Sequence, residues 1–340
     1  GHDELLFSAG QLRFDLKLDS AQLRDSMRFR LTDRLTLTGG ADVQIGVVDV
    51  FVRMPLPPKE GQPRTRVDIT KTLTSEVNGE VMWSPALFVE AEVTPVADLL
   101  LLPGLRLDYF DLTNQMVLQP RMTARWQTTE QVTAKAGVGL FVQEPTNDET
   151  DKSFGNPDLG VERALHYSTG VEVRPRSWLT LDATAFYKDL DELVSRTDEL
   201  TMVDGAVRPL IYDNGGKGRV YGLEIQARHE RAHGLSGWLA YTLSRAERRD
   251  TGSSENRLFD FDQTHILTVV ANYLLPRNWQ LGGRFRLVSG NPTTPVVGAV
   301  FDASADRYSP TYGPVNSSRE GLFHQLDVRV RSVADLLAPQ

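Results

Sequence analysis

The chain has no cysteine. A disulfide scaffold, a cysteine nucleophile and a thiolate zinc centre are excluded. The absence suits an oxidising periplasm or cell surface, although many cytosolic proteins share it. Long apolar runs are also lacking. The longest, residues 96–102, is interrupted by Asp98 and falls far short of the roughly 20 residues of a membrane helix. That excludes a helical membrane protein but not a membrane barrel, whose alternating strands average out in hydropathy. A mean hydropathy of −0.30 is compatible with one. Positive charge is in short supply, with 37 Lys and Arg against 45 Asp and Glu. No basic stripe with interleaved aromatics appears, so no nucleic-acid partner is expected. The start, Gly1-His2-Asp3-Glu4, has neither the basic region nor the apolar region of a signal peptide. Gly1-His2 reads as a tag scar, and the start is expected to be artificial or internal.

What the 340 residues do contain is period-2 alternation, almost everywhere, with helical period almost nowhere. Leu179, Leu181, Ala183, Ala185 and Tyr187 oppose Thr180, Asp182, Thr184, Phe186 and Lys188. Leu223, Ile225 and Ala227 oppose Glu224, Gln226 and Arg228, and Leu281, Phe285 and Leu287 oppose Gln280, Arg284 and Arg286. The front half alternates in the same way from Leu12, Phe14, Leu16 and Leu18 to Ala134, Ala136, Val138 and Leu140. A soluble sandwich hides its apolar face between sheets, whereas a membrane barrel turns it to lipid and lines its lumen with the polar face. Both give this alternation. Two details favour the barrel. The polar faces mix charges of both signs. Aromatics gather near strand ends, at Tyr109, Trp126, Phe141, Trp178, Tyr187, Tyr221, Tyr273 and Trp279, as interfacial girdles do.

Connection lengths point the same way. Short connections are predicted at 32–34, 127–130, 174–177, 231–235 and 275–278, with an intermediate one at 96–104. Long ones are predicted at 55–82, 143–161, 189–218, 246–261 and 290–321, with two shorter members of that set at 19–24 and 112–116. Tight turns at one end and long polar loops at the other are the pattern of an outer-membrane barrel. The expectation is all-β: an antiparallel transmembrane β-barrel portion over residues 1–331, of about 14 strands where the large plugged transporters have roughly 22. Residues 332–340 read as a helix-like, non-barrel tail without a terminal aromatic. The final strands are expected to be missing, and an open sheet edge has no partner in lipid.

Residues 156–162 read Asn-Pro-Asp-Leu-Gly-Val-Glu and open an alternating strand. With His166-Tyr-Ser-Thr-Gly-Val-Glu, Ala185-Phe-Tyr-Lys-Asp-Leu, Gly218-Arg-Val-Tyr-Gly-Leu-Glu, Trp238-Leu-Ala-Tyr-Thr-Leu-Ser-Arg-Ala, Asp262-Gln-Thr-His-Ile-Leu and Arg286-Leu-Val-Ser-Gly-Asn-Pro, it resembles the barrel of TonB-dependent outer-membrane receptors. The resemblance covers about residues 80–330 and rests on the order of the motifs rather than on any one. It implies a bacterial outer-membrane location and energy-dependent import of a scarce small-molecule ligand, such as a ferric siderophore, cobalamin or a sugar. It implies outer-membrane lipid as surroundings, and coupling to TonB through a plug absent from this chain. The rival readings are a surface binding or scaffolding barrel without transport, a truncated receptor fragment, and a soluble all-β domain.

The motif positions are Asn156, Pro157, Asp158, Leu159 and Glu162. The proline fixes φ and extends Asn156, so a structural turn is expected, with Glu162 capping the strand start or pairing with an inward arginine. Lumen-facing ligand candidates are Arg284, Arg286, Arg228, Glu224 and Asp182, because a guanidinium fork matches carboxylate and catecholate oxygens. Pairing of these charges with one another and with a plug is the more ordinary expectation. Gly215-Gly216-Lys217-Gly218 lacks the Gly-Lys-Ser/Thr ending of a phosphate loop and reads as a flexible outer loop. The acidic stretch at 147–152 lacks EF-hand spacing. His166, His229, His233, His265 and His324 have no metal-ligand spacing. No metal or other cofactor is expected, and no esterase elbow, zincin or dinucleotide fingerprint appears, so the chain is not expected to be an enzyme.

Overall fold

The computed structural model describes residues 2–9, 12–55, 72–150, 155–197, 200–203, 206–209, 212–304 and 306–332. Of the predicted tail at 332–340, Ser332 ends the last strand and the rest lies outside them, as do much of the connection at 55–82 and part of the acidic stretch at 147–152. In chain order the strands begin with β1 (His2–Ala9), β2 (Leu12–Thr32), β3 (Leu35–Pro55), β4 (Thr72–Val96), β5 (Leu99–Phe110), β6 (Gln115–Gln127) and β7 (Val132–Gln143). A single helical turn, α1 (Asn147–Thr150), follows, then β8 (Glu162–Arg176) and β9 (Leu179–Arg196). A hairpin of β10 (Leu200–Val203) and β11 (Ala206–Pro209) precedes β12 (Tyr212–Ala232), β13 (Leu235–Arg249) and the short β14 (Arg257–Leu258). β15 (His265–Leu275) and β16 (Trp279–Val288) come next. β17 (Pro292–Thr293), β18 (Val296–Asp302), β19 (Arg307–Tyr312) and β20 (Ser318–Arg319) lie in the connection to β21 (Phe323–Ser332).

One 15-stranded antiparallel sheet holds the molecule together, with the path β1 to β9, then β12, β13, β15, β16 and β21, and with β14 appended to β13. Each strand of this path pairs with the next one along it, and the short strands β10, β11 and β17 to β20 lie within the connections. The turns at 33–34, 97–98, 128–131, 177–178, 233–234 and 276–278 all lie at one end, called the short-turn end. The links at 111–114, 144–161, 197–211, 250–264 and 289–322 lie at the other, the loop end. His233 and Gly234 both take positive φ, 54° and 80°, the geometry of a tight hairpin turn that follows strand twist.

Alternation and side chains decide which face is which. Leu87, Leu105, Leu181, Ile225 and Leu281 share one face and are exposed, at 59, 45, 41, 39 and 41%. Among the described residues the buried apolar ones are few: Val48, Ala86, Val117, Leu159, Val161, Leu193 and Val288. A sandwich would have put the first set into a core. Here they form an outward apolar belt, while the opposite, inner face carries the charges. Trp126, Tyr273 and Trp279 edge the belt at the short-turn end. At the loop end Trp83 packs on Tyr109, 5.1 Å between centroids, and Tyr167, Tyr187 and Tyr221 stand in register as a row. Trp178 and Tyr187 are about nine residues apart, roughly 30 Å along a strand. At a tilt of about 40° that gives a belt of roughly 23 Å, close to the apolar band of an outer-membrane barrel. Phe141 departs from its predicted girdle place. It shares the parity of Lys135 and Gly139, so its ring turns inward against His166, 4.5 Å between centroids.

Several strands outrun the membrane. β2 and β3 have 21 residues each and β4 has 25. The predicted connection at 19–24 is not a turn, since β2 runs straight through it with Asp19 opposite Val47 and Arg24 opposite Asp42. What changes there is the phase of the pattern. Leu23, Met27, Phe29 and Leu31 point outward, but above them Arg13, Asp15, Lys17 and Asp19 take the outward side. Phe14, Leu16 and Leu18 then turn inward against Val52, Val50 and Val48. The inversion marks where the outer surroundings change from lipid to water. The intermediate connection expected at 96–104 is a two-residue turn, because Leu99 already pairs with Val96. The expected loops at 189–218 and 246–261 begin later, since β9 continues to Arg196 and β13 to Arg249. Gly215 to Gly218 form no flexible loop. They lie in β12, with register shifts beside them, and a Cβ at Gly216 would sit 2.7 Å from the Leu193 carbonyl oxygen.

Candidate functional site

The inner face is a wall of cross-strand ion pairs. Lys135 on β7 binds Asp182 on β9, which also accepts from the Thr184 hydroxyl at 3.1 Å. Arg174 and Arg125 converge on Glu172 at 2.7 and 3.5 Å. Arg106 grips Asp108 at 2.8 Å, and Gln119 donates to the same carboxylate at 2.6 Å. Arg28 pairs with Glu92 at 2.8 Å. Side chains two residues apart on one strand, or opposite on adjacent strands, share a face and lie close enough to pair.

The five lumen candidates all project from this inner face but are not one cluster. Asp182 sits near the short-turn end, in register with Gln226, and Arg228 lies lower still, opposite Thr180. Arg228 pairs with Glu230 at 2.9 Å. Glu224 stands midway along β12 opposite Thr184. Arg284 and Arg286 are three strands further on, beyond β13 and β15, and carry no ion pair among the described residues. Across from them β21 turns Gln325, Asp327, Arg329 and Arg331 inward, so Asp327 is the one carboxylate in this stretch facing Arg284, Arg286, Arg329 and Arg331. Arg331 is held by the Gln280 side chain at 2.6 Å.

The loop end is built of two buried clasps. In the first, Asn156 donates from Nδ2 to the Tyr212 carbonyl at 2.8 Å, and its Oδ1 accepts from the Asp158 amide at 3.0 Å. Gly160 donates to Asn214 at 2.7 Å, and Val161 donates to Gln115 at 3.3 Å. Glu162 accepts from the Val194 amide of the neighbouring strand β9 at 2.7 Å. Leu159 and Val161 are buried, at 2% and 0%. Pro157 stiffens the turn that precedes them. The motif thus ties the 144–161 loop to β9 and β12 and to the first residue of β6. Beside it Glu144 accepts the Leu112 amide at 3.1 Å. Burial pushes its carboxyl above the usual carboxylate range, against the pull of that hydrogen bond.

The second clasp centres on Asp262, whose side chain is 1% exposed. It accepts the Ala246 amide at 2.6 Å and the Thr264 hydroxyl at 3.2 Å, and it pairs with Arg319. Arg319 also donates to the carbonyls of Asp262 and Gly290, at 2.9 and 3.1 Å. Asn316 donates to the Leu258 carbonyl and to Asp260, at 2.8 and 2.6 Å. Two loops, 250–264 and 289–322, are locked at their roots. The sequence motifs at 262–267 and 286–292 mark one side of this clasp. Arg319 and Asn316 carried no sequence signal, because they lie in an irregular loop far along the chain. The histidines serve locally: His229 packs on Trp178 at 4.8 Å, and His265 bonds the Tyr241 hydroxyl at 2.9 Å.

The family model described as "TonB dependent receptor-like, beta-barrel" matches residues 7–331. Among solved structures, a mutant ferric enterobactin receptor of Pseudomonas aeruginosa in complex with enterobactin superposes with a TM-score of 0.69 at 16% identity, covering 95% of this chain and 48% of that one. The FrpB iron transporter of Neisseria meningitidis gives 0.61 at 16% identity, covering 94% and 48%. The outer-membrane transporter YddB of Escherichia coli gives 0.64 at 10% identity, covering 94% and 48%. The chain spans about half the length of these structures. No curated protein sequence matches it.

Proposed function

Because the chain belongs to the TonB-dependent receptor β-barrel family, whose members are outer-membrane receptors and transporters rather than enzymes, we propose that it walls the lumen of a receptor that actively imports an anionic ligand of the ferric siderophore class. The observation that carries this reading is the opposition of the two faces: an apolar belt outward, and inward a charged wall that ends in Arg284, Arg286, Arg329 and Arg331 against Asp327. A planar fork of donors suits carboxylate and catecholate oxygens. Similar folds that bind ferric enterobactin or transport iron give the class. TonB would act through a plug carried outside these strands, and Asp182, Glu224 and Arg228 would serve the lower lumen, where plug contacts fall.

The test is uptake of radiolabelled ferric siderophores by cells lacking their own receptors. TonB-dependent uptake is expected. Replacing Arg284 and Arg286 with Ala should raise the half-saturating concentration about tenfold, as the loss of roughly 1.4 kcal/mol of binding would. Ligand bound at the surface but never internalised would replace this reading with a binding barrel that does not transport.

A further inference from the structure

Above the tyrosine row the outward face changes character. Arg245 stands in register with Tyr221, Tyr187 and Tyr167, and the next outward positions are Glu247, Arg219 and Asp189. Glu247 is nearly buried, its side chain 8% exposed, and lies between two arginines. Arg219 donates from Nε to Oε2 and Arg245 from Nε to Oε1, each at 2.6 Å. Both guanidiniums are therefore fixed by their inner nitrogen. Their outer Nη edges have no hydrogen-bond partner among the described residues, and the side chains are about half exposed. The Tyr221 ring lies under Arg219, 5.8 Å from its centre. Further up, Lys217 pairs with Asp191 at 3.1 Å and Arg163 with Glu192 at 2.7 Å.

Two cations share one carboxylate, so the trio keeps a positive charge. It points away from the lumen, beyond the reach of an imported ligand. It sits where tyrosines mark the membrane interface and where the outward side turns from apolar to charged. An anion at that height comes from a lipid headgroup, and paired forks of free N–H donors match the oxygens of a phosphate monoester. We propose that Arg219 and Arg245, positioned by Glu247, bind the phosphorylated headgroup of an outer-leaflet lipid. The proposal rests on the outer-membrane barrel reading given above.

The experiment extracts the protein in detergent and counts bound lipid by native mass spectrometry during titration with lipid A bisphosphate. The same lipid without phosphates, and inorganic phosphate as competitor, complete the set. Selective binding of the phosphorylated lipid is expected. The double variant R219A/R245A should bind about 30-fold more weakly, from about 1 kcal/mol per arginine, while R30A at the short-turn end should bind as before. Equal binding of the dephosphorylated lipid, or undiminished binding by the double variant, overturns the proposal. Displacement by inorganic phosphate as effective as by lipid overturns the lipid as its source. Heat-modifiable migration on a gel checks that each variant is folded. If the double variant fails that check, the single variants should each show about fivefold. A protein soluble without detergent sinks the barrel reading together with this one, whereas a heat-shifting barrel that ignores lipid phosphate sinks this one alone.

Discussion

Arg319 holds the loop end at several points. It neutralises the buried Asp262 and satisfies two carbonyls at once. Arg319→Ala would leave a carboxylate buried and uncompensated, a change that costs about 3–5 kcal/mol. The Ala246 amide, which Asp262 accepts, should then exchange its hydrogen orders of magnitude faster, while amides in the middle of β7 keep their protection. Uniform loss of protection would show that the clasp supports the whole sheet and not only two loops. The sequence made Asn156 and Pro157 visible as a structural turn, because proline and a short amide leave a local signature. It could not show that Asn156 reaches Tyr212 or that Asp262 meets Arg319, since those partners lie 56 and 57 residues away. Phe141, near a strand end, imitates a girdle residue, although its parity with Lys135 and Gly139 in β7 sets it on the inner face.

Strand identity was legible almost throughout, because a period of two survives in every β-strand that has one wet and one dry face. Boundaries were less so at the loop end. There β9, β12 and β13 rise above the lipid, their outward residues become polar, and the pattern imitates a loop. The phase reversal in β2 produced the same error at 19–24. Close contacts between strands were likewise hidden. Gly222 is needed because the Phe186 ring crosses its inner side: a Cβ would fall 2.8 Å from that ring and 2.3 Å from the Leu243 carbonyl oxygen. Gly222→Ala should therefore cost about 1–3 kcal/mol, read as a lower urea midpoint for the loss of the heat-modifiable band. If Gly222→Ala unfolds at the same urea concentration, the close approach at this site is wrong. Trimming Phe186 to Leu in the same background should recover part of the loss.

For the molecule as a whole, the assignment of inside and outside can be tested with one pair of substitutions. Ile225→Arg would place a charge on the outward belt, midway between the tyrosine row and the short-turn end, and should cost about 2–4 kcal/mol near the midplane. Gln226→Arg, on the inner wall beside Asp182, should cost little. Equal penalties in a vesicle-refolding titration would mean that the sheet is not lipid-facing on that side. All-β class, strand number and the sorting of turns by length followed from the sequence because each repeats along the chain. The pairing of charges on the inner wall did not, because alternation fixes a side chain's face but not its neighbour. The inversion of polarity along β2 and β3 has a mechanical consequence. It works as a waterline. If the sheet rose by one pair of residues, Leu23 and Ile45 would move toward water; if it sank by the same amount, Asp19 and Asp49 would enter hydrocarbon. With its depth pinned on both sides, the protein has little freedom to tilt or slide in a bilayer of the wrong thickness. The surrounding lipid must stretch or thin to meet it.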